Sequence, residues 1–366
     1  MRADVLVVGL GFAGSTAARA LADAGFRVHA IDRRPHLGGN AFDKPDAHGV
    51  TIHPYGPHIF HTNSTRIVQF LSRFTAWRPY EHRVLAKIGE QYLPMPINRT
   101  TINRMYGLNL DEKGVSVFLD SVREPRARIV TSEDLLLSTV GRDLCRTFFS
   151  GYTRKHWGLE LSELSASVAA RVPVRTSDDD RYFTDSFQAM PADGYTTMFG
   201  RMIEHPLISY ETGVDFDGRS DTTAYRQVIF TGPIDSYFQH RLGKLPYRSV
   251  EFRHEHHAST PFLQAVGTIN FPNDFEYTRV TEFKHLTGQM HPGSSLVREI
   301  PRGEGEPFYP IPREENHELY KRYRMLASAH PNVTFVGRLA EYRYYDMDQV
   351  VAAALAAAQR IAGRLR

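Results

Sequence analysis

The first forty residues constrain the fold more than any other stretch. They run VLVVGLGFAG, then a helical pattern, then VHAID and RRPHLGGN. Val5 to Val8 form a continuous apolar run, as a strand buried on both faces requires. Gly9 and Gly11 permit a tight turn, through Phe12 and Ala13, in which the backbone can approach a diphosphate closely. Gly14 lets the next helix, expected from about Ala13 to Ala24, pack against the strand. The diphosphate would sit at that helix's positive N-terminus. A second strand, Val28 to Ile31, ends at Asp32, eighteen residues beyond Gly14. Its carboxylate is placed to accept hydrogen bonds from an adenosine ribose.

Glycine-rich turns are common, so the fingerprint alone is weak. Here strand, glycines, helix, second strand and terminal acid follow one another within a single βαβ unit, and that order argues for a dinucleotide. Arg33, Gly38, Gly39 and Asn40 add a basic and then glycine-rich segment just past the ribose acid. Alone it would be an ordinary turn. With the fingerprint it favours FAD over NAD, because it brings more backbone to a larger cofactor.

At 366 residues the chain is long enough for two or three domains with real cores. A net charge of +3 gives no global field toward nucleic acid or a membrane, so an anionic ligand must be held by local arginines. Cys145 is the one cysteine, which excludes an intramolecular disulfide and suits a reducing cytoplasm. The N-terminus runs directly into the first strand, leaving no room for a signal peptide, and no apolar run reaches membrane-spanning length.

Beyond Asn40, Thr65 to Phe74 reads as a short helix capped by Asn63 or Ser64, and Val84 to Ile88 with Gln91 to Pro94 as a hairpin. From Asn98 to Glu163 apolar residues recur at helical spacings around Ile102, Val115, Val117, Leu135 and Leu144. Strand character returns at Phe187 to Met190, and a helix opens at Thr196. QVIFTG, Gln227 to Gly232, is an apolar strand of the kind that rejoins the first sheet. Residues 245–300 alternate in strand fashion, including YTRVTEFKHL. Asn332 to Val336 is a last strand, and Gln349 to Leu365 an alanine-rich helix with Asp346 and Asp348 at its start.

Phe148, Phe149 and Tyr152 fall on neighbouring helical positions and form either a stacking face for a flat base or a core patch. Arg171, Arg279 and Arg338 recur in apolar or aromatic settings, which serve a structural ion pair or bidentate anion binding. Tyr182, Tyr309 and Tyr344 accompany them as hydroxyl donors, so a diphosphate held by two arginines and several tyrosines is a live reading. His58 and His61 have His-x-x-His spacing, and His254, His256 and His257 cluster, but neither group presents a compelling ligand set, and no metal is expected. His58 and His61 suit a flavin pocket better.

GLGFAG, RRPHLGGN, YGPHIFHTN, FFSGYTRKHWG, RVPVR, FQAMPADGYT, YTRVTEFKH and VGRLAEYRYYDMD, in this order over nearly the whole chain, resemble the UDP-galactopyranose mutase family of bacterial type. The resemblance implies an α/β fold: a discontinuous Rossmann-like FAD domain (1–80 with about 195–242 and 312–366) and an inserted helical domain (about 98–170). An antiparallel sheet domain (about 81–97, 173–194 and 243–311) completes it. It implies interconversion of UDP-galactopyranose and UDP-galactofuranose without net redox, through attack of reduced FAD N-5 on the anomeric carbon. An electron donor such as NAD(P)H would reduce the flavin, and a homodimer is expected by analogy.

Carried over residue by residue, Arg171 and Arg279 fall on the diphosphate, with Tyr182, Tyr309 and Tyr344 as donors. Phe148, Phe149 and Tyr152 fall around the uracil and Trp157 beside the sugar, with Thr153, Asn270 and Glu299 as further substrate contacts. Arg338, Asp346, Met347 and His61 fall by the flavin, and a mobile loop spans about 158–172. The chain departs from the family at Thr176, where an aromatic residue is common, and at Ala189, where glycine is common. These departures leave the sugar open. An amine-oxidase-type flavoenzyme shares the N-terminal fingerprint but has no use for a diphosphate clamp.

Overall fold

The computed structural model describes residues 3–216 and 224–366. Val5–Val8 is the central strand of a five-stranded parallel sheet, in the spatial order Ile208–Thr212, Val28–Asp32, Val5–Val8, Gln227–Phe230, Val333–Phe335. Its neighbours lie on opposite sides, with Val5 level with both Val28 and Gln227. That reversal of direction opens a crevice at the strands' carboxyl ends, where this class of sheet takes its ligand. Helix Phe12–Asp23 starts in the crevice and packs on the C-terminal helix Met347–Leu365. Ala17, Ala18, Ala354, Ala357 and Ala358 are at most 2% exposed, and these small side chains let the two helices come close.

The helical unit follows the hairpin Val84–Ile88 and Gln91–Met95. Its helices are stopped and started by local chemistry. Asn98 and Thr131 accept hydrogen bonds from the backbone N–H of Thr101 and Asp134, capping Arg99–Tyr106 and Ser132–Leu144. Ser132–Leu144 kinks at Gly141, whose φ is +76° and whose Cβ would lie 2.2 Å from the Val122 carbonyl oxygen. A π-helical turn, Cys145–Ser150, then leads into helix Gly151–Trp157.

The second large sheet runs Tyr309–Pro310, Tyr247–His257, Ser294–Arg302, Arg279–Glu282, Thr268–Asn270, Val84–Ile88, Gln91–Met95. It is antiparallel except where Thr268–Asn270 lies parallel to Val84–Ile88. A three-stranded sheet, Phe60–Thr62, Phe187–Pro191 and Trp77–Pro79, joins it to the nucleotide fold.

Several local expectations need correction. Phe283–Thr287 is a short helix rather than a continued strand, burying Phe283 and Leu286 and stopped by Gly288 at φ +68°. Val117 is 61% exposed, because it points away from the face that buries Val115 and Leu119. The helix at Thr65 ends at Leu71. Edge strand Ile208–Thr212 and helix Glu314–Ser328 carry no expectation from the sequence.

Candidate active site: two cavities with a shared wall

A cavity of about 390 Å³ opens at the carboxyl ends of the parallel strands. Its floor is two glycine turns facing one another. Gly38 N–H donates to the Leu10 carbonyl (3.0 Å), and a Cβ on Gly39 would meet Gly11 Cα at 3.0 Å. Gly9 has φ +98°, and a Cβ there would lie 2.1 Å from Thr231 Oγ1. This cradle admits backbone where side chains would fill it, as a diphosphate requires. Among the described residues no side chain caps helix Phe12–Asp23, so its first N–H groups face the cavity.

Asp32 lies at the rim, 7% exposed. Its Oδ2 accepts from Leu10 N–H (2.6 Å) and its Oδ1 from Arg34 N–H (2.8 Å). The carboxylate therefore ties both glycine turns together besides facing the cavity. Gly9, Gly11, Phe12, Ala13, Arg33, Gly38, Gly39 and Asn40 also line it, with Arg33 ion-paired to Glu306. Gly14 does not. Its Cβ would fall 1.7 Å from the Gly9 carbonyl oxygen, so it serves the contact of helix with strand. The opposite wall, Thr231 to Pro233 with Phe216 and Tyr237, escaped the sequence reading. Its signal was present: QVIFTG was expected to rejoin the sheet, and residues just past a parallel strand's carboxyl end line the crevice.

A second cavity, of about 500 Å³, adjoins the first. Asn40, His58, Phe308, Arg338 and Met347 line both. Arg171, Arg279, Tyr152, Tyr182, Asn270, Glu299, Tyr309, Tyr344, Asp346 and His61 also line the second. Sheet register brings three of these together: Asn270 pairs with Arg279, and Arg279 with Glu299, so they stand side by side on one face. Arg279 Nε lies 3.0 Å from Glu299 Oε2. The alignment nevertheless leaves Arg279 Nε and Glu299 Oε1 without a hydrogen bond among the described residues. Burial works against charge on Arg279, yet Glu299 and the neighbouring tyrosines hold the guanidinium well above its ordinary pKa. The result is a half-buried, permanently positive group lining the cavity, with unused hydrogen-bonding capacity.

Arg171 reaches the cavity from the other side. Its Nη1 donates to the Tyr344 carbonyl (2.9 Å), it pairs with Asp346, and its guanidinium lies 4.3 Å from the Tyr344 ring centre. Burial raises the hydroxyls of Tyr152 and Tyr182 and pushes Tyr309 up to about 12, so all three stay protonated as donors. Burial brings His58 down to about 3, and its Nδ1–H donates to the Gly56 carbonyl (2.8 Å). His61 stacks on Phe183 (3.7 Å) and bonds Asp185 (2.8 Å). His82 also lines the cavity, lowered to about 3 by burial and then by Arg279. It was missed because nothing in EHRV marks it locally.

Of the residues expected around a flat base, Tyr152 reaches the cavity. Phe148 and Phe149, 3% and 8% exposed, turn into the helical core, because the π-helical turn rotates them away from the face that Tyr152 shares. Thr153 is buried outside the lining. Trp157 stands behind the wall, edge-on to Tyr344 (5.7 Å) and Tyr309 (6.4 Å).

Residues 147–344 match the family profile described as UDP-galactopyranose mutase, and residues 7–74 that of an NAD(P)-binding Rossmann-like domain. The chain belongs to the UDP-galactopyranose mutase family. It is 37% identical to the dTDP-fucopyranose mutase of Escherichia coli, over 97% of each chain. It is 39% identical to a "Probable UDP-galactopyranose mutase" of Klebsiella pneumoniae, over 96% of this chain and 93% of that one. A crystal structure of reduced UDP-galactopyranose mutase superposes with a TM-score of 0.79 at 16% identity, covering 99% of this chain and 96% of that one. At that identity the likeness concerns the fold. By family the protein is an isomerase-class enzyme with a flavin-type cofactor and a nucleotide-sugar substrate. Among the described residues no helix is long and apolar enough to cross a membrane.

Proposed function

We propose that this enzyme interconverts the pyranose and furanose forms of a nucleotide sugar, UDP-galactose first, with reduced FAD in the glycine-floored cavity. The observation that carries the reading is the shared wall. A cradle suited to a dinucleotide runs directly into a cavity lined by three arginines, Arg171, Arg279 and Arg338, and three carboxylates, Asp185, Glu299 and Asp346, among tyrosine hydroxyls. Reduced flavin supplies a ring nitrogen nucleophilic toward the anomeric carbon.

The chain's own residues do the rest. Asp32, Arg33 and the glycine turns would hold the cofactor's adenosine and diphosphate. His58, Arg338 and Met347 stand where the two cavities meet and would border its reactive ring. Arg279 and Arg171 take the substrate's diphosphate and stabilise the charge that builds as the anomeric C–O bond breaks, with Tyr182, Tyr309 and Tyr344 donating to its oxygens. Arg171 would exchange Asp346 for the diphosphate as the 158–172 segment closes over substrate and excludes water. An amine oxidase would leave this clamp without work. A reductant of NAD(P)H type, a homodimer and a cytoplasmic setting complete the proposal.

A second sugar is favoured by a specific observation. Relatives of nearly equal identity are named for different nucleotides and different sugars. The deciding experiment is chromatography of UDP-galactofuranose and of dTDP-fucofuranose incubated with the purified protein, with and without dithionite. Conversion to a pyranose only under reduction supports the mutase, and the faster substrate names its sugar. A protein loaded with FAD that converts neither would overturn the reading.

A further inference from the structure

The segment FFSGYTRKHWG contributes Tyr152 to the substrate cavity, but it also contains a lysine that points away from it. Lys155 Nζ donates to the carbonyls of Phe271, Asp274 (2.9 Å), Phe275 (3.4 Å) and Tyr277 (3.1 Å). All four belong to one loop, and the loop's ends are Asn270 and Arg279, paired residues of the cavity. The ammonium thus gathers a loop from the sheet onto helix Gly151–Trp157, the helix that carries Tyr152.

Other contacts fasten the same junction. Asn273 Nδ2 donates to the Thr147 carbonyl (2.9 Å). A Cβ on Gly151 would lie 2.5 Å from the Pro272 carbonyl oxygen, so glycine is what lets helix and loop touch. From the next side, Arg248 Nε and Nη2 donate to the carbonyls of His156 (2.8 Å) and Lys155 (3.1 Å), holding the helix's last turn. Tyr152 on the helix and Asn270 and Arg279 on the sheet share no covalent path shorter than a hundred residues. Their spacing is therefore set by this junction.

We propose that Lys155 is a positioning residue of the nucleotide-sugar cavity, fixing Asn270 and Arg279 against Tyr152 by collecting the carbonyls of the 271–277 loop. This rests on the mutase reading above. Lys284 provides an internal control. Its Nζ donates to the carbonyls of Pro261 (2.7 Å), His291 and Gly293 (3.0 Å), a similar carbonyl cage in the same sheet domain, but in segments that do not line the cavity.

The test compares Lys155→Met with Lys284→Met in the FAD-loaded enzyme, with turnover expressed per bound flavin and UDP affinity measured separately by calorimetry. Lys155→Met should weaken UDP binding at least about tenfold and lower kcat/KM about a hundredfold. Lys284→Met should lower the melting temperature and leave both quantities unchanged. Asn273→Ala, a milder loosening of the same junction, should move them in the direction of Lys155→Met by a smaller factor, and it stands in if that variant does not fold. Unchanged UDP affinity and per-flavin turnover in Lys155→Met, or in Asn273→Ala where that substitutes for it, would overturn the assignment. So would equal losses from Lys284→Met. Wild-type enzyme that binds UDP yet converts no sugar would instead defeat the mutase reading, while the affinity comparison still judges Lys155.

Discussion

The two cavities are built on opposite plans. The glycine-floored one is made of backbone, much of it from two short stretches, residues 9–13 and 32–40. Its selectivity lies in what is missing, a Cβ at Gly9, Gly11, Gly38 and Gly39. The arginine-tyrosine cavity is made of side chains, brought from the helical unit, the sheet and the segment before the last helix. Its selectivity lies in charge and in donors held protonated by burial. A backbone site tolerates little change of shape. A side-chain site tolerates changes of shape but not the loss of a charge.

Substitutions can break that contrast, and the largest effect belongs to the charge. Arg279→Ala should lower kcat/KM by about 10²–10³ through loss of a donor to the leaving diphosphate, while bound FAD per protein stays at the wild-type value. Near-normal turnover in steady-state assays would remove Arg279 from the clamp. Gly14→Ala should do the reverse. A Cβ 1.7 Å from the Gly9 oxygen forces helix Phe12–Asp23 off its strand. Overpacking of that kind costs about 1–3 kcal/mol, and the flavin absorbance of the purified protein should fall with it.

Asp32→Ala sharpens the comparison, because one carboxylate serves both turns of the backbone site. Losing two backbone donors' acceptor should weaken FAD by about 2 kcal/mol, roughly thirtyfold in Kd, read from flavin fluorescence on dilution. Undiminished FAD retention would mean that the glycine turns hold their shape without it.

The smallest effect concerns pH. Burial lowers His53 to about 4, and His58 and His82 to about 3, from an ordinary 6.5. The folded protein then binds fewer protons than the unfolded chain below pH 6.5. Stability is complete above that pH and is lost as pH falls toward 4, by about 1 kcal/mol per pH unit for each ring. Urea midpoints measured from pH 7 to pH 4.5 should show the decline, with His82→Gln reducing its slope. A midpoint that stays level over this range would mean these rings are protonated within the fold.

The glycine site was legible because its determinants are local. GLGFAG, VHAID and RRPHLGGN each specify a turn or strand end without help from the rest of the chain. The second cavity was legible only in part: the family resemblance named Arg171, Arg279, Tyr152, Tyr182, Tyr309 and Tyr344, which line it, but also Phe148, Phe149, Thr153 and Trp157, which do not. FFSGYTRKHWG has an even helical pattern, and nothing within it says that a π-helical turn will bury Phe148 and Phe149 and face Tyr152 to the cavity. Lys155 carried no expectation from the sequence, because its partners are carbonyls more than a hundred residues away. FKHL read as strand because its alternation matches one, until Gly288 and the burial of Phe283 and Leu286 close it into a helical turn.

By itself, the sequence determined the dinucleotide unit, the family and the identity of the charged and aromatic groups. These depend on glycine, on periodicity and on residue type, which are properties of short segments. Tertiary structure decided which of those groups meet. It placed Asn270, Arg279 and Glu299 abreast by strand register, set Arg171 across from them on Asp346, and joined both cavities along His58, Arg338 and Met347. Register and docking arise from side chains burying one another across the whole chain, and no local window contains that information.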